Sequence, residues 1–136
     1  MPISATQNLV QKTLKPRGVH FPFSKRADGL PSADGPPDIF ASNIKQILLT
    51  TPGERRMRPT FGTGLKALLF ADITNNAVLD LAKIMVITSI KKWEPRVKVL
   101  SVDILTQNTT IKIKVRYMSG VGIGEAEILL KKKEAA

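Results

Sequence analysis

Three arginines fall in four positions, Arg55, Arg56 and Arg58, directly after Glu54 in the stretch Gly53 to Gly62. The guanidinium is a planar fork of donors suited to bidentate contacts. Such a cluster either pairs inside the fold, with Glu94, Asp72 and helix-end carbonyls, or stands as a docking loop for a partner. The two are compatible, because a rigid loop makes a better interface. A second short constellation, Glu94-Pro95-Arg96, places a carboxylate two residues from a guanidinium. The sequence predicts that Glu94 pairs with Arg96 or with an arginine of the 55–58 loop. A third is the alternation Lys112, Lys114, Arg116, followed by Lys131, Lys132 and Lys133. That face could track phosphates.

Hydrolytic chemistry fits these residues poorly. Glycoside hydrolysis needs two carboxyl groups flanking one bond, one with a raised pKa. The candidates are Glu54, beside Arg55 and Arg56, and Glu94, near Arg96. A neighbouring cation lowers a carboxyl pKa, the wrong direction for a general acid. His20 is the only histidine and there is no cysteine. That excludes disulfides, thiolate metal sites, a cysteine nucleophile and most zinc sites. Gly62-Thr63-Gly64 and the Gly120–Gly124 stretch match no phosphate-binding loop and read as turns. The sequence therefore assigns no catalytic residue, no metal site and no cofactor.

The elements that must position these residues can be read from pattern. Residues 1–37 read as an arm, with one extended piece at Gly18 to Phe23 that Pro22 limits to a sheet edge. The Pro- and Gly-rich run 24–37 reads as a loop. A helix starts at Asp38, a residue type favoured at the N-cap. It repeats Phe40, Ile44, Ile47 and Leu48 at helical spacing and stops at Pro52-Gly53. Leu65 to Phe70 has room for one or two helical turns. A second helix runs from about Asn75 to Trp93, apolar around almost its whole circumference, and is expected to be central and buried on several sides. Pro95 ends it. The last forty residues read as β. The alternation Val97, Val99 slips at Leu100 before Val102 and Ile104, which predicts a bulge. Gln107-Asn108 marks a turn. Ile111, Ile113, Val115 and Tyr117 oppose Lys112, Lys114 and Arg116. After a Gly-rich loop over Ser119–Gly124, Ala126, Ile128 and Leu130 oppose Glu125, Glu127 and Lys131. Glu125 and Glu127 are then expected opposite or diagonal to Lys114 and Arg116, neutralising part of the basic stripe.

Length and composition set the frame. The 136 residues suffice for one domain that needs no disulfide or metal to fold, and a hydrophobic fraction of 43% rules out a wholly disordered chain. Lys+Arg 21 against Asp+Glu 11 gives a net charge of +10. Such a charge calls for an acidic partner: nucleic acid, anionic lipid or an acidic protein face. The excess is spread along the chain and not held in a tail, unlike most basic arms that bind nucleic acid. With aromatic residues at 5% and none between the lysines to stack bases, nucleic-acid binding is the weaker alternative to a solvated sheet face. The longest apolar run, Ala77 to Ile90, is interrupted by Asp80 and Lys83 and is too short for a membrane span. No signal peptide is evident at the N-terminus. A cytoplasm, or an assembly built in one, is the expected location.

Thr50-Thr51-Pro52-Gly53-Glu54-Arg55, then Arg58-Pro59-Thr60-Phe61-Gly62-Thr63-Gly64-Leu65, then Phe70, then Trp93-Glu94-Pro95-Arg96-Val97 resemble the lysozyme-like baseplate wedge family of contractile tails, found in phages, tailocins and type VI secretion baseplates. The resemblance runs from about Gly18 to Leu130, with one motif after each main helix. It implies an inner-baseplate protein of a six-fold assembly around the tail tube, at the virion tail baseplate and assembled in the bacterial cytoplasm. It implies other wedge proteins and the tail sheath protein as partners, with no membrane and no small-molecule substrate. Glu94, Pro95 and Arg96 correspond to the motif that the family uses to contact the helical core of the wedge. The C-terminal sheet would accept strands from the sheath by β-augmentation and so initiate sheath polymerisation.

The expected fold is α+β, with two main helices packed on a small, mostly antiparallel sheet of three to four strands. An arm over 1–17 precedes a single domain over 18–136. The expected role is structural, not enzymatic, with Glu54, Arg55, Arg56, Arg58, Glu94, Pro95, Arg96, Lys112, Lys114 and Arg116 as partner-binding residues. The alternatives are a basic nucleic-acid-binding domain and, behind it, a peptidoglycan hydrolase. Arg96→Ala is expected to block baseplate assembly and leave the monomer folded.

Overall fold

A computed structural model describes residues 18–19, 23–30, 33–34, 38–71, 75–107 and 110–131. The readings made for residues 1–17, His20, Pro22, Asp72, Asn108, Lys132 and Lys133 lie outside them.

The strands are β1 (Gly18–Val19), β2 (Ala33–Asp34), β3 (Val97–Gln107), β4 (Thr110–Ser119) and β5 (Gly122–Lys131). The helices are α1 (Asp38–Leu49) and α2 (Asn76–Trp93), with a 3-10 helix at Leu65–Phe70 between them. β3, β4 and β5 form an antiparallel meander in sequence order. Both helices lie on one face of it, α1 against β5 and α2 against β3. This is the expected α+β architecture, with three strands in the main sheet.

Each sheet residue faces the side its type dictates. Val102, Val115 and Ala126 form one inward row, and Ile104, Ile113 and Ile128 form the next. All but the half-buried Ile104 are buried. They meet Phe40, Ile44 and Leu48 of α1 and Ala82, Val86 and Ile90 of α2 in one apolar cluster. Burying a side chain of this size stabilises by about 1.5–3 kcal/mol, so the core secures the sheet and both helices together. The register slips between Val99 and Ser101, so Leu100 is the bulged residue that the broken alternation marks.

Three expectations are corrected. The extended piece near the N-terminus does not join the main sheet: Gly18–Val19 pairs with Ala33–Asp34 in a separate two-stranded ladder. A two-residue strand in a Pro- and Gly-rich run leaves no periodic signal, so β2 reads as loop. The Ser119–Gly124 loop shrinks to Gly120-Val121, because β4 runs through Ser119 and β5 begins at Gly122. Gly124 is part of the strand: it pairs with Tyr117, and a Cβ there would come within 2.5 Å of the Tyr117 hydroxyl oxygen. That glycine makes room for a ring and is not a turn residue.

The largest correction concerns α2. Its start is as expected, with Asn75 at the N-cap accepting the Ala77 N–H at 2.9 Å. Its environment is not. Only Ala82, Val86 and Ile90 are buried, while Leu81, Ile84 and Ile87 are 54%, 60% and 42% exposed. The helix meets β3, α1 and the 3-10 turn, all of which serve its buried side. Apolarity around the whole helix therefore does not report burial within this chain. Among the described residues, no helix is long and apolar enough to cross a membrane.

Candidate functional site

The loop after α1 is built before its arginines are placed. Thr63 closes the end of α1, its hydroxyl donating to the Leu48 carbonyl at 3.0 Å and its N–H to the Thr50 carbonyl at 2.9 Å. These bonds satisfy carbonyls that a helix end leaves open. Gly62 sits at φ +111, and a Cβ there would collide with the Thr50 carbonyl oxygen. Only glycine permits both the conformation and the close approach. Inside the loop, the Gly53 N–H donates to the Pro59 carbonyl at 2.7 Å, Arg58 to Arg55 at 3.2 Å, and Phe61 to Arg58 at 3.0 Å. Residues 53–62 thus form a compact excursion with its ends tied together.

The side chains of that loop divide sharply. Glu54 accepts the Thr51 N–H at 2.9 Å and lies 3.5 Å from the Lys66 ammonium. The Thr51 N–H first, then Lys66, hold its carboxyl below the usual range. The carboxyl is thus stabilised as an anion, opposite to what a general acid needs. Arg55 lies over the Phe61 ring at 4.1 Å and donates to Gln46 at 3.4 Å. Arg56 and Arg58 are exposed and make no side-chain bond or ion pair among the described residues, and Met57 between them is 94% exposed.

The second constellation is buried. Glu94 is 5% exposed at the foot of α2, and its N–H still closes the helix onto the Ile90 carbonyl at 2.8 Å. Its carboxylate accepts Arg96 Nε at 2.6 Å, Arg96 Nη2 at 3.1 Å and Asn43 Nδ2 of α1 at 2.9 Å. A buried carboxylate is tolerated only when paired and hydrogen-bonded in this way. The hydrogen bonds from Arg96 to Glu94 hold the Arg96 pKa above its ordinary value. Pro95 is exposed at the corner between Glu94 and Arg96, and the Arg96 guanidinium sits 5.4 Å from the centre of the Phe40 ring.

The expected pairing of Glu94 with Arg96 is present. The internal network that would join Glu94 to the loop arginines is not: none of Arg55, Arg56 or Arg58 bonds to Glu94. Aromatic packing links the two pieces instead. The Phe61 ring meets Trp93 at 5.0 Å between centroids, Arg55 covers Phe61, and Lys92 lies 4.9 Å from the Trp93 ring. A cleft of about 210 Å³ runs between them, lined by Asn43, Gln46, Arg55, Phe61, Trp93 and Glu94. Asn43, Gln46 and Lys92 escaped the sequence reading. Their only sequence signal is position: Asn43 and Gln46 are polar residues three apart on α1, beside the apolar set.

Lys112, Lys114 and Arg116 are brought together elsewhere, on the outer face of the sheet. Lys112 pairs with Glu127 at 2.8 Å, Lys114 with Glu125 at 3.1 Å, and Arg116 with Glu125 at 3.2 Å. Lys114 and then Arg116 hold the Glu125 carboxyl below its usual range. The basic stripe is therefore partly neutralised by β5, as its sequence pattern predicts. Among the described residues, no group of three or more His, Cys, Asp and Glu is arranged to hold a metal ion.

Comparison with known proteins adds to this geometry. Residues 38–120 match the family model for the baseplate wedge protein gp25. The chain is similar to a crystal structure of a Geobacter sulfurreducens protein named as a candidate tail lysozyme, with 31% identity over 72% of this chain and 92% of that one, at a TM-score of 0.64. Its fold is shared with a chain of the six-fold symmetrised anti-feeding prophage baseplate, with 20% identity, 90% of each chain covered and a TM-score of 0.64. A chain of the postcontracted pyocin R2 baseplate has the fold at 20% identity, over 86% of this chain and 99% of that one, with a TM-score of 0.51. No curated protein matches the chain. The matched span runs from the first residue of α1 through both motifs and into the sheet, and the chain belongs to the baseplate wedge protein gp25 family.

Proposed function

We propose that this chain is a structural inner-baseplate component of a contractile tail or injection system, which links the wedge core to the first sheath ring and starts sheath polymerisation. The observation that carries the reading is the division of labour at the corner. Glu94 is buried and fully engaged by Arg96 and Asn43, while Arg56 and Arg58 of the neighbouring loop are exposed and without side-chain partners among the described residues. A buried ion pair fixes the turn, and a rigid turn presents the Pro95–Arg96 corner and the arginine loop to one acidic partner surface. That partner is a wedge protein.

The sheet supplies the second contact. β3 and β5 each have a strand neighbour on one side only among the described residues. An unpaired edge is normally a liability, and its retention is explained if sheath strands add to it. Lys112, Lys114 and Arg116 lie on the central strand β4, one strand removed from either open edge, and contribute their charge to the outer face of the sheet. In this reading residues 18–136 are one domain and 1–17 an arm. The protein sits in a six-fold assembly around the tail tube at the baseplate, assembled in the bacterial cytoplasm.

The test is to tag the chain, purify it at moderate salt from cells making the complete particle, and identify co-purifying proteins by mass spectrometry. Wedge and sheath proteins in stable proportion support the reading. Recovery of nucleic acid alone, with an affinity that falls steeply with salt, would replace it with the basic-face alternative. Peptidoglycan hydrolysis lost in Glu54→Gln or Glu94→Gln would replace it with an enzyme.

A further inference from the structure

α2 carries a second face that the fold leaves unused. Ala77, Leu81, Ile84, Thr88 and Lys91 recur at alternating intervals of four and three, and all five are exposed. That spacing is the seam of a helix that meets another helix. Ala82, Val86 and Ile90 occupy the opposite side and are buried in the core. The exposed seam is thus separate from the packing that holds α2 in place, and it lies outside the Glu94 corner.

The charges around the seam select the occupant. At its C-terminal end stand Lys91 and Lys92. Lys92 lies over the Trp93 ring, and Lys91 has no ion-pair partner among the described residues. Lysines in a last helical turn also complement the helix dipole, which explains their presence but not the apolar row leading up to them. At the other end, Asp80 is already paired with Lys83 at 3.5 Å. A second copy of this chain is a poor occupant, because each brings a net charge of +10. The chain's own arm is no better: residues 1–17 hold Lys12, Lys15 and Arg17 and no acidic residue.

We infer that the exposed seam Leu81–Ile84–Thr88–Lys91 of α2 is a docking face for an amphipathic helix of another protein, one with an apolar heptad seam and acidic residues facing Lys91. The occupant supplies the apolar cover that α2 lacks, and its acidic end fixes its direction along the helix. This inference stands apart from the baseplate reading, since it rests on α2 alone.

The test uses the full chain and two labelled helical peptides with the same leucine heptad seam, one flanked by glutamates and one by lysines, followed by fluorescence anisotropy. The glutamate peptide is expected to bind and the lysine peptide to bind at least about tenfold more weakly. Ile84→Asp is expected to weaken the glutamate peptide by about tenfold or more, and Lys91→Glu by about threefold to tenfold. Leu81→Gln serves as a second seam variant, and circular dichroism checks that each variant is folded. Equal binding of the two peptides, binding unchanged in Ile84→Asp and Leu81→Gln, or no binding at all would overturn the inference. So would a dimer in sedimentation that dissociates in Ile84→Asp, since the occupant would then be a second copy.

Discussion

The Glu94 corner and the arginine loop are neighbours with opposite constructions. At the corner a single carboxylate is buried and every oxygen is used, by Arg96 and by Asn43. In the loop the backbone is tied down while Arg56, Met57 and Arg58 reach into solvent. The difference separates positioning from contact. Side chains that set geometry are satisfied internally and pay back in stability. Those left without internal partners contribute little to folding and are available to another molecule.

That contrast can be broken in order of effect. The largest is expected at Gly62→Ala. The positive φ and the collision with the Thr50 carbonyl oxygen together should cost about 3 kcal/mol, read as a lower midpoint in urea unfolding. A cost near zero would mean that the loop is not anchored where the backbone bonds place it. Next is Glu94→Ala, which strands Arg96 and Asn43 and should cost about 2 kcal/mol in the same measurement. Arg96→Ala should cost about as much, because it leaves the buried Glu94 carboxylate with Asn43 as its remaining side-chain donor. The variant stays folded but is measurably weakened, so Arg96→Lys is the cleaner probe: it keeps the charge and loses the fork. Should Glu94→Ala and Arg56→Ala prove equally harmless to stability, the division between the two regions would fail.

The smallest effect belongs to the sheet face. Glu125 has its carboxyl pKa lowered in the fold, below the ordinary 4.5, by Lys114 and then Arg116. A depressed value means that the ion pairs stabilise the fold above the unfolded pKa and lose that contribution as pH falls through the folded one. The stability gap between wild type and Glu125→Gln should therefore be present at neutral pH and close below about 4.5. Thermal melts across that range check it, and a gap constant into acid would mean the pairs are not formed. Each pair is exposed, so the gap will be small.

Much of this was legible in the sequence, for identifiable reasons. α1 shows a clean set, Phe40, Ile44, Ile47 and Leu48, and all four are buried. The bulge at Leu100 and the opposition of Glu125 and Glu127 to the basic stripe follow from period-two alternation, which leaves each residue one face or the other. The pairing of Glu94 with Arg96 follows from a two-residue separation across a proline turn. α2 misled because apolarity states what a side chain tolerates, not which neighbour covers it. Leu81 and Ile84 are as apolar as Val86, and only the position of β3 and α1 distinguishes them. The Arg55–Phe61–Trp93–Lys92 stack was hidden because it joins residues far apart in sequence through ring geometry that no local pattern encodes.

The most direct test of the proposed docking surface is a quantitative pull-down with Arg56→Glu/Arg58→Glu in the arginine loop, from cells making the complete particle, beside a melting curve of the purified variant. The expected result is an unchanged melting temperature with wedge proteins lost from the pull-down. Wedge proteins recovered in wild-type proportion from a normally folded variant would contradict the account.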